Sequence, residues 1–316
     1  MTDLFIHKRT LDESIALEFR ALLEVALPQA PLTKPKDTLA AFKMMTAGYE
    51  DCLFLAERSG VIVGFVMLMR GPSPELARPM GGVLPTEQRA GIGTQLWQRM
   101  LTELKKYPLV KRLQCRTFGS LASSRSFLEH MGGVNTERVY WLERPLDEAL
   151  SVELQAKLDR LKSSSIKVIS AQDFITIRPD WDRVWWKLET EASRDIPTSL
   201  GVMQPSFEEW RDAMNTFTPD LNEILIAIDG AEPVGVMKLR QIKEGCININ
   251  FTAVAATHRR RGISSLLKYE SIQLARSLGA ERLSTQNHST NTSIINANLS
   301  FGFREQDQML DYVFTL

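Results

Sequence analysis

One stretch of this chain is written twice, and a duplication at that distance leaves few folds open. Residues 83–94, VLPTEQRAGIGT, and 254–265, VAATHRRRGISS, each run from an apolar strand end through a polar turn to a glycine that opens an amphipathic helix. The offset between the copies holds at unrelated anchors. Gly262 lies 171 residues after Gly91, Gly235 171 after Gly64 and Ala227 171 after Ala56, while Gly302 follows Gly132 by 170. Constant spacing at domain length means two homologous domains rather than a solenoid of short repeats. The 316 residues suit two domains of about 150 each.

Periodicity supplies the elements. In the first copy residues 4–8 read as a strand, 11–26 and 38–46 as helices, and 52–57 with 61–70 as a hairpin turning at Arg58-Ser59-Gly60. Residues 82–84 read as a short strand, 91–107 as a helix, 112–117 as a strand, 123–131 as a helix stopped by Gly132-Gly133, and 139–143 as a closing strand. The second copy repeats this order. Strands are predicted at 166–170, 224–228, 234–241, 246–254, 282–286 and 309–315, and helices at 181–192, 206–214, 262–278 and 292–299. Residues 145–162 read as a charged, helix-forming connector followed by three serines. The division expected is a domain over 1–146, a linker over 147–165 and a domain over 166–316, in a mixed α/β chain.

The 24% of charged residues balance to a net charge of zero, so no global field draws the chain to nucleic acid or to an acidic membrane. A small partner is expected, bound by a monomer or homodimer. No apolar run reaches the roughly 18 residues that span a bilayer, and MTDLFIHKRTLDES lacks the form of a secretion signal. Cys52, Cys115 and Cys246 are odd in number and widely spaced, which suits neither a disulfide framework nor a zinc site and points to the cytoplasm.

The glycine turns carry the chemistry. A helix start leaves about four N–H groups without intrahelical partners at the positive end of the helix dipole, and an anion fits there. Gly91, Gly93 and Gly262 remove the Cβ atoms that would keep a phosphate away, and Arg89, Arg259, Arg260 and Arg261 add charge. Dinucleotide binding through G-x-G-x-x-G fails because Leu96 stands at the third glycine, and neither copy has the Gly-Lys-Ser/Thr of a P-loop. Taken alone, Arg259 to Arg261 read as a solvated basic run. Recurrence of the whole geometry favours an anion site.

Gln88-Arg89-Ala90-Gly91-Ile92-Gly93 resembles the Gln/Arg-x-x-Gly-x-Gly/Ala loop of the GNAT N-acetyltransferases, and Arg259-Arg260-Arg261-Gly262-Ile263-Ser264 matches it except at Ser264. Order of strands and helices agrees over both copies, so the chain is similar to tandem, mycothiol synthase-like members. The resemblance implies two tandem domains, each a mostly antiparallel mixed sheet flanked by helices. It implies acetyl-CoA bound along Val83, Gln88 to Thr94, Val254 and Arg259 to Ser265. The stretch NHSTNTSIINANLSFGF places Asn287, Asn291 and Asn298 as these tandem enzymes do, where the first copy has Thr117, Leu121 and Leu128. Asparagine both donates and accepts, so Asn287 and Asn291 suit the amides of a pantetheine arm; turn formation and helix capping are the plainer roles. The tyrosine that many relatives use as an acid is Leu128 in one copy and Asn298 in the other.

Chemistry in the second copy is expected to involve Asn250, Asn298 and Tyr312, with a backbone N–H near Val254, or Val83 in the first copy, facing the thioester carbonyl. Asn250 and Thr252 would act through water. His288 reads as a surface loop residue, and Tyr312 as facing either cleft or core. Trp181, Trp185 and Trp186 read as core. Glu191 and Asp195 suit a cationic amine, and Asp195 equally suits a turn. The expected function is acetyl-CoA-dependent transfer to a small-molecule or peptide amine, the C-terminal domain catalytic and the N-terminal one degenerate. An active N-terminal domain, or a non-catalytic acyl-CoA sensor, stays open.

Overall fold

The computed structural model describes residues 4–10, 12–26, 38–49, 51–198, 200–217 and 219–316. The first copy contributes β1 (Leu4–Arg9), α1 (Glu13–Ala26), α2 (Thr38–Met45), β2 (Leu53–Arg58), β3 (Val61–Arg70), β4 (Leu76–Val83), α3 (Ile92–Leu104), β5 (Arg112–Phe118), α4 (Ala122–His130) and β6 (Val134–Pro145). Helix α5 (Val152–Lys162) follows. The second copy adds β7 (Ile166–Ser170), α6 (Ala171–Ile177), α7 (Trp181–Ser193), α8 (Phe207–Phe217), β8 (Ile224–Asp229), β9 (Glu232–Lys243), β10 (Cys246–Val254), α9 (Ile263–Ser277), β11 (Arg282–His288), α10 (Thr292–Ser300) and β12 (Arg304–Thr315).

Local chemistry explains most boundaries. Ser59 and Gly60 both take positive φ, the paired conformation that turns a two-residue hairpin between β2 and β3. Strand β4 starts at Leu76, six residues before the short strand the sequence predicts, because Leu76 and Ala77 are fully buried. Its pairing with β5 ends at Ala77 and Leu113, and Pro79, which has no N–H to offer a second neighbour, comes just past that point. Helix α6 was not foreseen; the Ser170 hydroxyl accepts from Asp173 N at 3.0 Å and caps its first turn.

Two compact units form, and they do not coincide with the two copies. One comprises residues 1–117, 121–136 and 310–316, the other 118–120 and 137–309. In the first unit the strand order is β1-β2-β3-β4-β5-β12. Pairing runs antiparallel from β1 to β4 and parallel between β4 and β5. In the second unit the order is β7-β8-β9-β10-β11-β6, again antiparallel except for the parallel pair β10 and β11. The closing strands have therefore been exchanged: β6, from the first copy, completes the second unit, and the end of β12 completes the first.

Each sheet is covered on both faces. In the first unit α1 packs with Phe42 of α2 on one face, through Phe19, Leu22 and Leu23, while α3 and α4 cover the other through Ile92, Leu96, Met100 and Leu128. In the second, α7 and α8 cover one face through Trp185, Leu188 and Trp210, and α5 and α9 cover the other through Leu154, Leu158, Leu266 and Leu267. Burying one large apolar side chain is worth about 1.5–3 kcal/mol, so these faces hold the helices whose ends form the sites.

Candidate functional site

The duplicated turn has the same backbone path in both units. Arg89 and Arg260 take φ of 65° and 63°, and Gly91 and Gly262 take 76° and 80°. A non-glycine residue in the left-handed region costs roughly 1–2 kcal/mol, so the path is held by its surroundings. One such tie recurs. Gln88 Nε2 donates to the Val83 carbonyl at 3.2 Å, and Arg259 Nε donates to the Val254 carbonyl at 3.3 Å. Buried Ile92 and Ile263 then anchor the first turns of α3 and α9, neither of which has a side-chain cap. The leading N–H groups are thus left for an anion.

The two turns differ in what surrounds them. A Cβ built at Gly91 meets only Gln95 Nε2, at 4.0 Å, whereas one at Gly262 would lie 2.5 Å from Leu161 Cδ2 on α5. A Cβ built at Gly93 would lie 3.3 Å from the Phe127 ring. Arg259 pairs with Asp195, and Arg261 lies 3.3 Å from Asp229, while Arg260 is exposed.

Beyond the turn each parallel pair of strands opens. β10 and β11 pair from Cys246 with Arg282 to Ile249 with Thr285 and then part. At that point β10 has a bulge between Ile249 and Phe251, with exposed Asn250 as the extra residue. On the α9 and α10 side of the gap, Asn298 is fully buried, its Nδ2 donates to Asn287 Oδ1 at 2.5 Å, and its own Oδ1 has no partner. Asn291 begins α10 without using its side chain as a cap. The first unit answers with hydrocarbon. Leu128 is buried, Trp97 stands 4.8 Å from Phe314, and Phe314 presses so closely on Gly133 that a Cβ there would lie 2.6 Å from its Cζ.

Several expected residues are elsewhere. Tyr312 lies in the first unit, buried, where its hydroxyl donates to Glu129 Oε1 at 2.8 Å; burial and that hydrogen bond raise its pKa. Asn250 and Asn298 belong to the second unit. His288 is no surface loop residue: it ends β11 with its side chain 14% exposed. Trp185 is fully buried, and Trp181 and Trp186 pack on the same cluster. Glu191 lies 3.9 Å from Lys187, and Asp195 is engaged by Arg259. Sequence reasoning missed Glu189, which accepts from Trp185, Trp210 and Lys238, and Glu137, which β6 brings to His288. Glu189 stands on the same face of α7 as Trp185, four residues earlier, and that spacing was a usable signal; Glu137 had none.

Two sheets opened at a parallel strand pair, each beside an uncapped glycine turn, define an acetyltransferase fold. The profile of the Acetyltransferase (GNAT) family matches residues 19–132 and 181–303, and the chain belongs to that family. A tandem GNAT protein from the clavulanic acid biosynthesis pathway is similar over 99% of this chain and 98% of its own, with a TM-score of 0.71 at 17% identity. A GCN5-related N-acetyltransferase from Sphaerobacter thermophilus covers 98% of this chain over 95% of its own, with a TM-score of 0.69 at 16% identity. No curated protein sequence matches significantly. Among the described residues, no helix is long and apolar enough to cross a membrane.

Proposed function

We propose that this protein is an acetyl-CoA-dependent N-acetyltransferase acting on a small-molecule or peptide amine, with the reaction in the unit that carries β10 and β11. One observation carries the assignment: the buried, unpartnered Oδ1 of Asn298 beside Asn287 at the open strand pair. Leaving such an oxygen unsatisfied costs about 1–3 kcal/mol, and an amide N–H of a pantetheine arm would satisfy it. The first unit has Leu128 and Thr117 at the matching places.

The residues fit the cofactor in three parts. The N–H groups at the start of α9, with Arg260 beside them, suit a pyrophosphate. Asn287, Asn291 and Asn298 suit the amides of the arm. Past Ile249 the backbone of β10 no longer serves β11, so its N–H groups are available to a thioester carbonyl, where one such donor is worth about 3–4 kcal/mol. Bound acetyl-CoA supplies the activated acetyl group. An asparagine amide is no proton donor to a thiolate, so at Asn298 the chain provides orientation and solvent provides the proton. The three cysteines are unpaired and buried, which suits a reducing cytoplasm.

A second reading has one observation in its favour. The Gly91 turn is uncovered while Leu161 closes on Gly262, which favours cofactor on the first unit. Calorimetric titration of acetyl-CoA, with thiol release assayed over a panel of amines, separates the two. Asn287→Thr with Asn298→Leu gives the second unit the first unit's residues and is expected to abolish turnover; Gly91→Asp is expected to preserve it. The opposite pattern overturns the assignment.

A further inference from the structure

The open strand pair has two faces, and the second carries a group of polar side chains that cofactor binding leaves unused. Along β6 the even positions Tyr140 and Leu142 pack with α9, while Val139 and Trp141 pack with Phe118, Ile242 and Met309 on the opposite face. Glu137 shares that opposite face, since side chains alternate along a strand. On β11, Asn287 turns toward Asn298 of α10, so His288 turns the other way, and register places it opposite Val139. There His288 Nε2 lies 3.7 Å from Glu137 Oε2. That ring nitrogen is buried and has no hydrogen-bond partner, while Nδ1 accepts from Thr290 N at 3.3 Å and lies 2.7 Å from Thr290 Oγ1, so the neutral ring carries its proton on Nε2. From the segment after α7, Thr198 Oγ1 donates to both carboxylate oxygens of Glu137 at 3.1 Å and accepts from Leu200 N.

We propose that Glu137 binds and deprotonates the acceptor amine, with His288 as its positioning residue, so that a strand from the first copy supplies part of the second unit's reaction centre. The inference rests on the acetyl-transfer reading above. Cofactor comes from the α9 and α10 side of the gap, and the amine comes from the α7 side. An ammonium replaces the Thr198 hydroxyl as donor to Glu137, which exchanges one hydrogen bond for a charge-assisted one. His288 Nε2–H faces the carboxylate from 3.7 Å, too far for a direct hydrogen bond, and keeps it aimed at the amine. The ammonium gives one proton to the Glu137 carboxylate. The freed nitrogen pair forms the N–C bond at the acetyl carbonyl carbon as the C–S bond breaks, and the sulfur leaves with that electron pair. The nitrogen sheds its second proton, one proton ends on the thiol, and one is released to solvent. This assignment gives the degenerate copy a chemical reason to persist, because the second unit lacks the carboxylate without it.

The test uses the full chain as wild type, Glu137→Gln, Glu137→Asp and His288→Gln. Acetyl-CoA binding is measured by calorimetry, and thiol release is followed from pH 6 to 9 with spermidine, glucosamine, kanamycin, lysine and a dipeptide amide. Unchanged acetyl-CoA affinity is expected throughout. For the best amine, kcat/KM is expected to fall at least 30-fold in Glu137→Gln, to recover in part in Glu137→Asp, and to fall at least tenfold in His288→Gln. Retention of kcat/KM within threefold, or loss of acetyl-CoA binding in these variants, overturns the proposal. If wild type binds acetyl-CoA yet releases thiol with none of the amines, the acetyl-transfer reading fails separately. The pair is then read by titrating the same amines into coenzyme A-loaded protein: weaker binding in Glu137→Gln supports an amine site, and equal or absent binding overturns it.

Discussion

Lys268 lies in the middle of α9, only 6% exposed, with its Nζ 5.9 Å from the Phe301 ring and 5.3 Å from the Phe303 ring. The residue 171 positions earlier is Trp97, so a lysine stands where the first copy carries a large apolar group. Burial disfavours its charge and pulls its pKa down from 10.5 to about 7. Between pH 7 and pH 10.5 the unfolded chain therefore holds a proton that the folded chain has given up, and stability rises with pH across that window. Each pH unit is worth about 1.4 kcal/mol, so the charge costs roughly 5 kcal/mol at most, in full below pH 7 and fading toward pH 10.5. Lys268→Met keeps the length of the chain and removes the charge. Denaturant unfolding of both proteins at pH 6.5, 8 and 9.5 should show the variant more stable by several kcal/mol at the lowest pH, with the advantage shrinking as pH rises. A difference that does not vary with pH, or a variant less stable at pH 6.5, would refute the reasoning.

Four other perturbations have defined outcomes. Gly91→Ala should cost only the about 1 kcal/mol of an unfavourable φ, whereas Gly262→Ala also drives a methyl onto Leu161 and should lower the melting temperature visibly further. Asp311 is fully buried and takes two hydrogen bonds of 2.7 Å from Arg116, so Arg116→Ala leaves a buried charge uncompensated and should cost about 3–5 kcal/mol in denaturant melts. Phe314 belongs to the second copy in sequence yet packs on Trp97 and Gly133; Phe314→Ala should reduce hydrogen-exchange protection in α3 and β5, not in α9 and β11. The Glu103 carboxyl is held below its ordinary pKa by hydrogen bonds from Lys106 and Lys8, so its contribution is present at neutral pH and lost as pH falls through the lowered value. Glu103→Gln should flatten the loss of stability below pH 4.5.

What the sequence disclosed was local. The helices at both glycine turns and the hairpin at Ser59-Gly60 are each set by residues within a few positions, and those emerged where periodicity and turn chemistry placed them. Strand β6 was underestimated because Asn135, Thr136 and Glu137 are polar; their partners are Asp311, in a strand far along the chain, and Thr198, in an irregular segment. His288 was misjudged for the same reason. A histidine between polar residues looks solvated until a distant carboxylate arrives beside it.

Exchange of the closing strands is the point at which local reading ends. A strand pattern states which face is buried but not which sheet buries it, and β6 and β12 descend from one ancestor with the same alternation. Either could close either sheet on pattern alone. What differs is what each brings: β12 sets Tyr312 against Glu129 and Phe314 against Trp97, which fills the first unit's gap with an aromatic wall. β6 instead sets Glu137 against His288 and Tyr140 beside Asn287, which lines the second unit's gap with polar groups. The backbone of the two turns is nearly the same, so the difference between the two gaps comes from strand partnership as well as from the turns' surroundings. Swapping the residues of the two closing strands while leaving both glycine turns intact should abolish turnover and still leave two anion-binding helix starts. Turnover surviving that swap would show that the turns, not the strands, decide where the chemistry occurs.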